Sequence, residues 1–289
     1  RAIVEGNYDK SQFFYPPGYP ALGALFYDFM PAHTFFVINA ACFIGLGILF
    51  VLIAKPYVGA RASATLFLAV NVFHYQFLAQ YLVPWSTIPV AFLLYAVFLI
   101  YERKIFSYPA MALLGLCSGM IIPIRPADVL IMSPFYLCLP YLQYRATRHL
   151  PPWASKHKWV IYRLTLCGVF GLFGFGGFLG FNYYLYGNVL GSYVEVATSN
   201  GLHVFDLLEK WVSVFFDAGS LYGEQDASLL SRLPWLAISF FGVCCVAIAG
   251  NLFLRLLAVS IGINLCIYLS CADLLPLGIW RYLNIHYFV

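Results

Sequence analysis

Residues 33 to 54 read HTFFVINAACFIGLGILFVLIA, with no Asp, Glu, Lys or Arg among them. A helix rises about 1.5 Å per residue, so a run of this length matches the roughly 30 Å hydrocarbon core of a bilayer. It reads as a membrane-spanning helix. Comparable runs recur at 62 to 83, 87 to 101, 107 to 123, 128 to 144, 160 to 182, 233 to 252 and 255 to 271. Together they predict an all-α, polytopic transmembrane helical bundle of about eight spans. The expectation is one membrane domain over 1–289, with 183–232 as a long loop within it.

Composition points the same way. Of the 289 residues, 62% are hydrophobic, 19% aromatic and 10% charged, where soluble domains carry about 25% charged residues. The net charge of +4 is split between short loops rather than gathered into a groove, so it is no evidence for nucleic acid binding, and no nucleic acid partner is expected. The eight cysteines fall almost entirely within or at the ends of apolar runs. They form no C-x-x-C motif and read as small packing residues rather than a disulfide framework or a zinc site. The six histidines lack metal-ligand spacing, so no metal and no cofactor is expected. The chain opens at Arg1 without an initiator Met or a leader pattern, which suggests an absent upstream span.

Charge also sets the expected orientation. Ten of the sixteen basic residues fall in one set of loops: Lys55, Arg61, Arg103, Lys104, Arg145, Arg148, Lys156, Lys158, Arg163 and Arg255. Only Glu102 of the twelve acidic residues joins them. The positive-inside rule places that set in the cytoplasm and both ends of the segment outside. Residues 144 to 159, YRATRHLPPWASKHKW, are the strongest inside marker, and their Pro-Pro break predicts a hinge between two helix bundles. In the outer loop, residues 203 to 216 space their apolar side chains as a short interfacial or re-entrant helix does. The stretch CGVFGLFGFGGFLGF, 167 to 181, lacks the strand and polar turn of a dinucleotide fingerprint. Its glycines predict close helix packing.

The proline-rich stretches all sort outward. FFYPPGYP (13–20), YLVPWSTIP (81–89), IPIRPAD (122–128), NYYLYGNVLGSY (182–193) and LPLGIWRYLNIHY (275–287) would assemble a site just above the bilayer. The first lies within QFFYPPGYPALG (12–23), too apolar for a solvated loop and too interrupted for a helix. Its prolines predict stiff extended backbone, with Tyr15 and Tyr19 at headgroup level. Arg125, flanked by Pro123 and Pro126, either presents its fork to a phosphate or carboxylate, or serves as an anchor, by snorkelling or by pairing with Asp128. Arg281, between Trp280 and Tyr282, has the same character. The two could clamp one phosphate. Outward acids are plural: Glu5, Asp9, Asp128, Asp217, Glu224 and Asp273.

This order of motifs resembles the GT-C superfamily of polytopic membrane glycosyltransferases, and most of all bacterial relatives of protein mannosyltransferases and lipid A aminoarabinose transferases. Their corresponding elements read approximately Y-P-P-x-Y-P, R-P-T, N-x-x-x-F-G-x-P and R-Y-L. The resemblance implies inverting transfer of a sugar from a polyprenyl-phosphate donor to an extracytoplasmic acceptor, at a multi-pass protein of the bacterial inner membrane whose site faces the periplasm or exterior. It implies donor binding by Arg125 and Arg281, with Tyr15, Tyr19, Asp128 and Tyr282 in the same site. It also implies an acid that activates the acceptor, here Glu5 or Asp9 unless that acid precedes Arg1. Partners would be the polyprenyl-phosphate sugar, membrane lipids and other membrane subunits. PWST (84–87) departs from the family by lacking an acid. That departure keeps open a non-catalytic structural or assembly subunit, while a lipid or solute transporter is disfavoured because the spans hold almost no ionisable groups.

Overall fold

The apolar runs fold as helices. A computed structural model describes residues 3–6, 16–73, 86–147, 155–191, 205, 207–217 and 228–270. Among the described residues all regular structure is helical and no strand occurs, as the all-α expectation requires. The chain forms two compact units, Arg1–Tyr193 and Val194–Val289. The first holds α1 (Gly18–Phe26), α2 (Thr34–Val58), α3 (Ala60–Asn71), α4 (Thr87–Glu102), α5 (Tyr108–Ile121), a 3-10 helix (Pro126–Met132) running into α6 (Ser133–Ala146), and α7 (Lys156–Tyr186). The second holds α8 (Leu207–Phe215), α9 (Leu229–Arg232), α10 (Leu236–Ala249) and α11 (Leu252–Ser270).

Two of these helices, α2 with 25 residues and α7 with 31, are long and apolar enough to cross a membrane, and only 17% of the most apolar stretch of each is buried. The core helix of a soluble protein hides its apolar side chains. Here Phe36, Ile44 and Ile48 on α2 and Val169, Leu172 and Phe173 on α7 stand exposed, a surface that suits lipid better than water. The other expected spans coincide with shorter helices: 16 residues in α4, 14 in α5, 14 in α6 and 14 in α10. The 62–83 run is helical over Ala60–Asn71, and residues 74–85 lie outside the described residues.

Two expectations need correcting. Within the described part of the proline-rich opening stretch, residues 16–23, the chain does become helix: α1 starts at Gly18, two residues before Pro20, with Pro17 at its cap (φ −76°). The first amides of a helix have no intrahelical acceptor, so a proline in the first turn forfeits no hydrogen bond. The Pro151-Pro152 loop, expected to divide two bundles, is not where the chain divides; that boundary falls between Tyr193 and Val194. The cause is the seam between α5 and α7. Neither Gly115 nor Gly119 on α5 has room for a Cβ, the first against the backbone of Cys167 and the second against that of Gly171, and Gly174 is equally close to Gly119. Small residues let the two backbones touch, which joins α7 to the first unit. The expected glycine packing thus holds at Gly171 and Gly174, whereas a Cβ at Gly168, Gly176, Gly177 or Gly180 would meet open space.

Loops sorted to one side by charge come together at one end of the first unit. Arg103, after α4, reaches the last turns of α2. Tyr108, at the start of α5, stacks on Trp159 of α7 at 5.5 Å, and the Arg163 guanidinium lies over both rings. Gly59 makes the α2–α3 turn with φ +83°, a conformation that a side chain would strain. In the second unit, α8 sets the rings of Trp211 and Phe215 against Phe240 of α10 at 6.5 and 5.0 Å. The helix expected within 203 to 216 is therefore present as Leu207–Phe215.

Candidate functional site

The site begins where α5 ends. Beyond Ile121, the amides of Ile124 and Arg125 both donate to the Ile121 carbonyl, at 3.0 and 2.7 Å, and close the helix with a tight turn. Arg125 precedes Pro126 and takes the extended conformation that such a position favours (φ −149°, ψ 89°). Pro126 then opens the 3-10 helix, whose Asp128 amide donates to the Arg125 carbonyl at 3.1 Å.

This backbone brings two side chains of opposite charge together. Arg125 Nε lies 3.1 Å from Asp128 Oδ2, and their side chains are 13% and 6% exposed. Arg125 Nη1 donates to Thr87 Oγ1 at 3.1 Å, from the first residue of α4. The pairing of Arg125 with Asp128 that the sequence allowed is present. A charge this deeply placed needs such a partner, because desolvation of an unpaired ion costs several kcal/mol.

The proline-rich stretch of α1 closes the corner. The Gly18 amide donates to the Pro123 carbonyl at 2.7 Å, and a Cβ on Gly18 would stand 2.6 Å from that oxygen. Pro16, Pro17, Gly18 and Tyr19 are all buried. Tyr19 packs with Ile38, Val90, Ile121 and Ile124, stacks on Phe35 at 4.6 Å, and donates its hydroxyl to Asn39 Oδ1 at 3.0 Å. Burial pushes its phenol well above the ordinary value, so it stays a donor. Expected at headgroup level, Tyr19 is 7% exposed and ties α1 to α2.

Three stretches that are far apart in sequence therefore meet: residues 16–19, Thr87 and 123–128. Glu5 is exposed near a turn in which Gly6 donates to Ile3. Asp9, Tyr15, Arg281 and Tyr282 lie outside the described residues. Sequence reasoning singled out Arg125 and Asp128 but missed Gly18, Thr87 and Asn39. Asn39 carried a readable signal, since an amide inside an apolar run is costly unless it is hydrogen-bonded. Among the described residues no group of three or more His, Cys, Asp or Glu is placed to hold a metal.

No protein-family model, curated protein or solved structure matches this chain.

The corner holds a guanidinium whose charge is balanced by a buried carboxylate. A guanidinium has five donors in a rigid plane and matches the oxygens of a phosphate or carboxylate. Asp128 offsets the charge of Arg125 in a buried setting, and Thr87 occupies a second edge of the fork.

Proposed function

We propose that this chain is a multi-pass membrane glycosyltransferase of GT-C type that moves a sugar from a polyprenyl-phosphate donor to an extracytoplasmic acceptor, with inversion. The observation that carries the reading is the meeting of Arg125 with Thr87 and with the turn that Gly18 holds, because the elements resembling Y-P-P and R-P in that superfamily share one corner. Arg125, with Arg281, binds the donor phosphate. Glu5 or Asp9 accepts the proton of the attacking acceptor hydroxyl. The bond from the anomeric carbon to the phosphate oxygen breaks, and polyprenyl phosphate leaves with its growing charge met by the guanidinium.

Purified protein supplied with polyprenyl-phosphate sugars tests this. Arg125→Lys, which keeps a cation beside Asp128, and Arg281→Ala are each expected to abolish transfer while the variants remain folded; unchanged turnover overturns the donor-clamp role. A second reading, a GT-C-like assembly subunit without activity, is favoured by the Asp128 partner of Arg125. That reading predicts no transfer by the wild type and full tolerance of Arg125→Lys.

A further inference from the structure

We propose that Thr87, Asp128 and Gly18 are positioning residues for the Arg125 guanidinium, which together fix the direction in which it meets a phosphate. The identity of that phosphate rests on the glycosyltransferase reading; the positioning does not.

A free arginine side chain has many rotamers, so a fixed pose needs at least two anchored contacts on the guanidinium plane. Asp128 takes Nε at 3.1 Å and Thr87 takes Nη1 at 3.1 Å. The two acceptors come from different elements. Thr87 opens α4, whose first turn is packed through Ile88 and Val90 at 2% and 1% exposure. Asp128 belongs to a short helix that starts at Pro126 and runs directly into α6. With Nε and Nη1 held from two sides, both the tilt of the plane and its rotation are set.

Gly18 fixes the base of the side chain. Its amide binds the carbonyl of Pro123, two residues before Arg125, and a methyl group on Gly18 would stand 2.6 Å from that carbonyl oxygen and force the turn aside. A snorkelling anchor has no use for such a cage, because its head group sits in water or among lipid phosphates. This side chain is 13% exposed. The proline-rich stretch reaches the turn before Arg125 through the Gly18 backbone, while the Tyr19 hydroxyl is engaged by Asn39.

Thr87→Val keeps the branched shape and removes the acceptor; Thr87→Ser keeps the acceptor. The first readout is the rate at which phenylglyoxal modifies Arg125 in the purified full chain, followed by mass spectrometry. Thr87→Val and Asp128→Asn are expected to change that rate severalfold, and Thr87→Ser to leave it at the wild-type value. The second is sugar transfer, where Thr87→Val raises the donor KM about tenfold with a smaller change in kcat, and Thr87→Ser restores it. Identical labelling of wild type and Thr87→Val overturns the positioning role whatever the activity. Altered labelling with no transfer by the wild type leaves the positioning standing and removes the glycosyltransferase reading. Gly18→Ala is the third variant; should it fail to fold, the Thr87 pair still decides.

Discussion

The Arg103 guanidinium donates to the carbonyl of Leu52 at 2.8 Å. Leu52 lies four residues before Pro56, which stands inside α2 and has no amide hydrogen to offer. The acceptor that proline leaves open is thus filled from the end of α4. Glu102, 3.1 Å from Arg103 Nε, holds the guanidinium beside it. Arg255 does similar work in the second unit, where its Nη2 donates to the Ile248 carbonyl in the last turn of α10 at 2.8 Å.

This relationship predicts a coupling. Arg103→Ala should cost about 1 kcal/mol of stability, the usual net worth of one hydrogen bond at a partly exposed site. In a Pro56→Ala background the new amide satisfies Leu52, so the cost of Arg103→Ala should fall by about that amount, leaving only the loss of the cation beside Glu102. Thermal unfolding of the four variants in detergent measures the cycle; equal costs in both backgrounds would falsify the repair.

The glycines of α5 and α7 divide into two classes. Gly115→Ala and Gly119→Ala force backbones apart at the seam, and overpacking of this kind costs about 1–3 kcal/mol or more. Gly177→Ala meets open space, so it should be neutral or should stabilise α7 by up to about 1 kcal/mol through helix propensity. Melting temperatures that fail to separate the two classes would show that the seam is not tightly packed.

Tyr19→Phe should lower stability by roughly 1 kcal/mol through loss of its bond to Asn39, and leave the donor KM unchanged. A large KM effect with intact stability would return Tyr19 to the substrate site.

Sidedness follows from the loop charges. An impermeant maleimide added to sealed cells should label Asp217→Cys and spare Lys158→Cys, each compared with the parent chain. Labelling of both from outside would contradict the proposed orientation.

Much of the helical architecture was legible because apolar runs leave a chain little choice. A peptide backbone in a greasy environment satisfies its own hydrogen bonds by coiling, and residues 34–58 and 156–186 do so close to where hydropathy put them. Arg103 reaches α2 and Gly18 reaches Pro123, contacts between segments that the sequence groups on common sides. The start of α1 was not legible, because prolines are compatible with both an extended segment and a first helical turn. The boundary between the units was also hidden, since a Pro-Pro loop advertises a break while the opposing glycines of α5 and α7 advertise nothing until they face each other.

Composition and periodicity by themselves determined an all-helical chain suited to lipid, the rough helix positions, and Arg125 with Asp128 as residues of interest. Only the tertiary structure decided that Arg125 is paired with Asp128 and braced by Thr87, that Tyr19 is core rather than surface, and that Gly18 must be glycine. The physical reason is distance along the chain. Hydropathy is a property of neighbours in sequence, whereas a buried ion pair's second acceptor, thirty-eight residues away at Thr87, exists only once α4 and the end of α5 stand side by side.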